Sequence, residues 1–134
     1  MSEERELHAA LAANAAFYAA FAAGDLRAMH TIWSVSEPVL CSHPGTLPLH
    51  GRTSVMESWQ AILVQPPPIA VSEARVVAIR GVAFVTCLEH IGGEILAATN
   101  VFVWEEGQWR MAHHQSGAIP RQKPTGPEPE QPLH

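Results

Sequence analysis

Cysteine is nearly absent from this chain of 134 residues: Cys41 and Cys87 are the two present. They form no spaced pattern, so neither a disulfide framework nor a cysteine metal knuckle is indicated, and nothing points to an oxidising compartment. No basic cluster exists, and the formal net charge is -5. That balance argues against nucleic acid and anionic membrane as partners. No close His-x-His or Cys-x-x-Cys spacing is present, so a metal site has no support. Long apolar runs are missing too. The Ala-rich stretch from Ala9 to Ala23 is too short and too weakly apolar to span a bilayer, and Asn14 interrupts it. Glu3, Glu4 and Glu6 stand where a signal sequence carries positive charge. A cytoplasmic protein is expected, and no internal repeat is visible.

What the chain does have is enough apolar content, 47% of its residues, for one domain with a real core. Glu3 to Ala23 reads as a helix. Alanine dominates it, and Leu7, Leu11, Asn14, Tyr18 and Phe21 share one face. Gly24 ends it, and Asp25 can cap a second short helix bearing Leu26, Met29, Ile32 and Trp33. Pro38 to His43 is a short strand running into the bend at Pro44-Gly45. A third helix, capped by Thr53 or Ser54, carries Val55, Trp59, Ile62 and Leu63 on its apolar side and stops at Pro66-Pro67-Pro68. Strands follow over Ile69 to Ile79 and Val82 to His90, joined by Arg80-Gly81, and Gly92-Gly93 leads onward. Helices followed by a strand meander mean α+β, with helices on one face of a sheet that curls around a conical cavity. Residues 118–134 hold five prolines and little to bury, so a disordered tail is expected there.

Leu96 to Ser116 reads as two strands joined at Glu106-Gly107. With two residues in the turn, Trp104 faces Trp109, Phe102 faces Met111 and Asn100 faces His113, all on the bulky side. Thr99, Val101 and Val103 then share the other side with Arg110, Ala112 and His114. A bulge would shift this pairing by one, so which of His113 and His114 points inward stays open. An apolar face with one Asn and one His suits a pocket wall, and equally a core with two satisfied polar groups.

The segments FYAAFAAGDLRAMHTIW, VLCSHPG, LHGRTSVMESW and TNVFVWEEGQWRMAHHQSG come in the order seen in SnoaL-like proteins. Over roughly Leu7 to Gly117 the chain thus resembles that family of the nuclear transport factor two-like, or ketosteroid isomerase-like, superfamily. The resemblance implies a cone-shaped curved sheet, antiparallel or mixed, wrapped around three N-terminal helices. It also implies a pocket between sheet and helices, and frequent dimerisation through the sheet. One domain over 1–117 is expected, followed by the tail. Function does not travel with this fold, which serves isomerases, dehydratases, epoxide hydrolases, cyclases and binding or scaffold modules. Ketosteroid isomerases and the SnoaL cyclases use a pocket Asp, and limonene epoxide hydrolases an Asp-Arg-Asp set. The single aspartate here, Asp25, sits in a capping position. Scytalone dehydratases work largely through histidines and tyrosines, and His43, His113, His114 and Tyr18 provide that inventory.

His43, at a strand end beside a bend, and His113 are the candidate catalytic residues, since imidazole titrates near neutrality. His43 can equally be a structural group hydrogen-bonded to hold the bend. Adjacent His113 and His114 point to opposite faces and cannot share one ion. Candidate substrate-binding residues are Tyr18, Trp33, Trp59, Asn100, Phe102, His114 and Gln115. Asn100 must find a partner, either a side chain or a ligand, while the aromatic residues can wall a pocket or fill core. Glu57 reads as solvated, His90 as an exposed edge position and Glu89 at most as a pocket-rim residue. Cys41 and Cys87 read as inert thiols in apolar strands. Two readings stay open: a cofactor-free acid/base enzyme (isomerase, dehydratase or cyclase) acting on a small apolar or polyketide- or steroid-like molecule, and a non-catalytic ligand-binding or dimerising module. Val101, Val103 and Ala112 on the hairpin's second face favour a homodimer.

Overall fold

The structure, a computed structural model, describes residues 3–120. Helix α1 (Glu3–Ala23) opens with Glu3, Glu4 and Glu6 in its first turn, where carboxylates complement the helix dipole. It ends at Gly24, whose φ is 66°. A Cβ there would lie 2.9 Å from the Leu63 carbonyl oxygen, so both the turn and the approach of the third helix require glycine. Asp25 caps α2 (Leu26–Ile32) by accepting from the Ala28 N–H at 3.0 Å. Helix α3 (Arg52–Leu63) starts two or three residues earlier than a Thr53 or Ser54 cap would set it. Gly51 occupies the N-cap without a side-chain bond, and Thr53 and Ser54 fall inside the first turn.

Arg52 explains that early start. Its guanidinium donates to the carbonyls of Trp33 at 2.9 Å, Ser34 at 3.1 Å and His30 at 2.5 Å, satisfying the open end of α2. The strap that follows is tied down by Glu105, whose carboxylate accepts from the Ser34 hydroxyl and from the Ser36 hydroxyl at 2.6 Å. Those bonds hold the Glu105 pKa down to about 2.

Six strands form one open mixed sheet: β1 (Leu40–Ser42), β2 (Leu49–His50), β3 (Ala70–Ile79), β4 (Val82–Ile91), β5 (Glu94–Glu105) and β6 (Gln108–Ala118). Their order is β2-β1-β6-β5-β4-β3. β1 runs parallel to β6, and the other neighbours are antiparallel. β2 was not anticipated from the sequence. Ala118, which composition assigns to the tail, is the last residue of β6 and pairs with Leu96. The Ile119 N–H donates to the Ile95 carbonyl at 3.1 Å, and the expected tail from 121 on lies outside the described residues. The sheet's inner face and the helices bury one core that includes Phe17, Phe21, Met29, Trp33, Val55, Trp59, Val85, Phe102 and Met111.

The last hairpin turns on Glu106 (φ 50°) and Gly107 (φ 79°), both left-handed as a tight two-residue turn requires. Trp104 opposite Trp109 and Phe102 opposite Met111 follow from that turn. Beyond them the register shifts: Val101 pairs with His113 and Asn100 with His114, leaving Ala112 as the extra residue. This bulge overturns the expected facing of Asn100 and His113. It turns every later β6 side chain over, so His114 and Ser116 become buried while Gln115 is exposed.

Candidate functional site

Asn100 is the hub of a polar cluster built inside the apolar core. Asn14 and Tyr18, one turn apart on α1, both meet it: the Asn100 amide donates to Asn14 Oδ1 at 2.8 Å and to Tyr18 Oη at 3.0 Å. His114 Nδ1 lies 2.5 Å from Asn100 Oδ1. An amide oxygen can only accept, so Nδ1 carries the imidazole proton. Tyr18 then donates to Glu89 Oε2 at 2.6 Å, and the Cys87 thiol donates to Tyr18 Oη at 3.3 Å. The bonds therefore run in one direction, from His114 through Asn100 and Tyr18 to the carboxylate of Glu89. His114 Nε2 closes the circle loosely, 3.9 Å from Glu89 Oε2, too long for a hydrogen bond.

Burial sets the charges. It pushes the His114 pKa down to about 3, with the neighbouring His43 and His113 adding to the effect, so the ring is neutral. Desolvation raises the Glu89 pKa against the opposing hydrogen bond from Tyr18. Tyr18 is raised as well, first by burial and then by the Glu89 charge. Cys41 is pushed up to about 12 by burial, and Cys87 is raised for the same reason, so both remain thiols.

His43 forms the outer part of the site, at the end of β1 and partly exposed. Its Nε2 lies 2.9 Å from Ser58 Oγ on α3, with Cys41 Sγ beside the ring at 3.6 Å. The Trp59 ring packs edge-on against His43 with centroids 4.9 Å apart and also contacts His114 at 5.9 Å. The two imidazoles are 6.3 Å apart. Burial lowers the His43 pKa, leaving a neutral ring at pH 7. The indole N–H of Trp59 is buried and has no hydrogen-bond partner among the described residues.

Of the residues singled out from the sequence, Tyr18, Asn100, His114, His43 and Trp59 come together. His113 does not join them, because the bulge leaves it on the opposite face with Val101 and Leu40. Gln115, two residues further on, is exposed on that same face. Trp33 and Phe102 are fully buried in the core and make no ring contact with the imidazoles. Glu57 is solvent-exposed, and His90 is half-buried with its Nε2 2.7 Å from Ser72 Oγ. Glu89, which reads from the sequence as a rim residue, is one of the most deeply buried side chains. Its signal is present in β4, where alternation places it on the inward face with Ala83, Val85 and Cys87. Ser58 carries no such signal.

Cavities of about 720, 380 and 290 Å3 open elsewhere: at the β4–β5 turn, between α1 and the last hairpin tip, and on β3 to β5. None of these three is lined by His43, His114, Asn100 or Tyr18. Phe17 and Trp59 pack directly on His114, with ring centroids 4.9 and 5.9 Å away. Among the described residues, no group of three or more His, Cys, Asp or Glu is placed to hold an ion. No helix among them is long and apolar enough to cross a membrane.

Residues 10–121 match the SnoaL-like domain family. The chain belongs to the SnoaL-like family. Its fold is closely similar to that of a candidate dehydratase of the NTF2-like family from Streptomyces avermitilis, at TM-score 0.83 and 26% identity over 90% of this chain and 100% of that one. A candidate calcium/calmodulin-dependent protein kinase type II association domain from Thiobacillus denitrificans is 30% identical, with TM-score 0.66 over 81% of this chain and 94% of that one. The F-box protein SKIP8 of Arabidopsis thaliana is 30% identical over 116 residues, or 83% of this chain. The SnoaL-like chain spans 50% of the length of that curated relative.

Proposed function

We propose that this SnoaL-like protein is a cofactor-free acid/base enzyme of the isomerase or dehydratase class, acting on a small, neutral, largely apolar molecule. The observation that carries the proposal is the directed chain His114–Asn100–Tyr18–Glu89, buried in an apolar core within ring contact of a partly exposed neutral imidazole, His43. A buried carboxylate is costly to keep as mere filler. Glu89 supplies the carboxyl group at the end of this chain of bonds. In this scheme His43 takes a proton from a substrate carbon. It returns that proton to another substrate atom in an isomerisation, or to the departing hydroxyl in a dehydration that releases water. The neutral rings favour an uncharged ligand. The 26% identity to the candidate dehydratase supports the same class.

A second reading is favoured by the outer sheet face. Val77, Phe84, Val101, His113 and Leu40 align in one row across it, with Val77 59% and Phe84 42% exposed. We propose that a second copy covers this row, making the protein a homodimer, and a non-catalytic dimerising module would need nothing more. A cytoplasmic location belongs to the same proposal, in keeping with two unpaired, buried cysteines.

A thermal-shift screen of neutral enones and β-hydroxy ketones separates the two readings. An enzyme should be stabilised by some of these compounds, and His43→Gln and Tyr18→Phe should each weaken the shift. Ligands that stabilise wild type and both variants equally, or none that binds at all, would leave the dimerising module.

A further inference from the structure

Ser58 lies beside His43 but also within α3, and its two contacts together fix the proton on the imidazole. Its Oγ is 2.6 Å from the carbonyl oxygen of Val55, one helical turn earlier. Two oxygens approach that closely only with a proton between them, and a carbonyl has none to give, so the Ser58 hydroxyl donates to Val55. A hydroxyl has one proton. Toward His43 Nε2, 2.9 Å away, Ser58 Oγ can therefore only accept, and Nε2 must carry the hydrogen. In a neutral ring the other nitrogen, Nδ1, is then the basic one.

We infer that Ser58 is a positioning residue that holds His43 in its Nε2–H form and presents Nδ1 as the proton-accepting atom. The inference rests on reading His43 as the base of the proposed reaction. Two further observations agree with it. Cys41 Sγ flanks the ring at 3.6 Å from Nε2 and 4.0 Å from Nδ1, so it does not take Nδ1 in a close bond. Val55 is fully buried and Trp59, one turn further along α3, packs on the imidazole, which ties this part of the helix to the core. Orientation of a histidine by a bond at its second nitrogen is a general device in sites where the first nitrogen does the chemistry.

Long-range 1H–15N correlation spectra of the histidine rings test this directly, because protonated and unprotonated ring nitrogens resonate far apart. Wild type should show His43 with a protonated Nε2 and an unprotonated Nδ1 at pH 7. In Ser58→Ala the two nitrogens should move toward a common averaged position, and Ser58→Thr should restore the wild-type pattern. An Nδ1–H form in wild type, or a Ser58→Ala spectrum identical to wild type, would overturn the inference. The wild-type spectrum decides the tautomer even where Ser58→Ala fails to fold. A His43 tautomer as expected, with no neutral ligand shifting its resonances, would instead sink the reading of His43 as a base and leave Ser58's role standing.

Discussion

Asn100 and His114 stand opposite each other on β5 and β6, joined through Oδ1 and Nδ1 at 2.5 Å, because one extra residue, Ala112, sits between His113 and the regular part of the hairpin. The bulge decides which of two adjacent histidines enters the core. It also brings His114 to Asn100, which bonds Asn14 and Tyr18 of α1, so sheet and helix share one hydrogen-bond network.

Asn100→Ala removes the hub and leaves His114 Nδ1–H without its acceptor in the core. Each unsatisfied buried group costs about 1–3 kcal/mol, so a loss of roughly 2–4 kcal/mol is expected. Urea denaturation of both proteins measures it. A change below about 1 kcal/mol would mean that the network adds little to stability.

His114 and Glu89 bend the pH profile in opposite senses. His114 has a folded pKa of about 3, below its unfolded value of 6.5. The unfolded chain therefore binds the proton first. Stability from the neutral ring is complete above pH 6.5 and is lost as pH falls toward about 3. His114→Gln should flatten that acid limb in thermal melts between these values. Glu105, held near 2 against an ordinary 4.5, contributes a separate loss at lower pH, and His114→Gln should not affect it. A variant that loses stability as steeply as wild type over pH 4.5–6.5 would contradict the buried neutral ring.

Glu89 works the other way. Its folded pKa is raised above 4.5, so the folded state holds the proton longer, and stability falls as pH rises from 4.5 through the raised value. Glu89→Gln keeps an oxygen to accept from Tyr18 and carries no charge. The variant should be at least as stable as wild type at pH 8, with a smaller decline as pH rises above 4.5. A clearly less stable Glu89→Gln at pH 8 would show that the charged form is the one the core accommodates.

Phe84→Glu places a charge in the middle of the outer apolar row. Wild type should run as a dimer in light scattering, and the variant near the monomer mass of 14.5 kDa. A monomeric wild type at micromolar concentration rules out the proposed interface.

Much of this architecture is legible in the residues. The alanine-rich α1, the Asp25 cap and the Glu106-Gly107 turn carry local signals strong enough to set element and boundary. The site is legible only in part. Tyr18 and Asn14 can be read from helical spacing, and Glu89 from alternation along β4. The bulge is different: nothing local in Met111-Ala112-His113 announces it, since the shift satisfies Asn100 and His114 through contacts distant in sequence. Arg52 likewise displaces the expected cap of α3 by bonding to carbonyls 18 to 22 residues earlier in the chain.

The most direct measurement follows the histidine ring nitrogens while a stabilising neutral ligand from the screen is titrated in. A ligand in the proposed site should shift His43 Nδ1 most, move His114 through Trp59 and leave His113 on the outer face unchanged. Movement of His113 with His43 and His114 silent would place the ligand on the other side of the sheet and contradict the site.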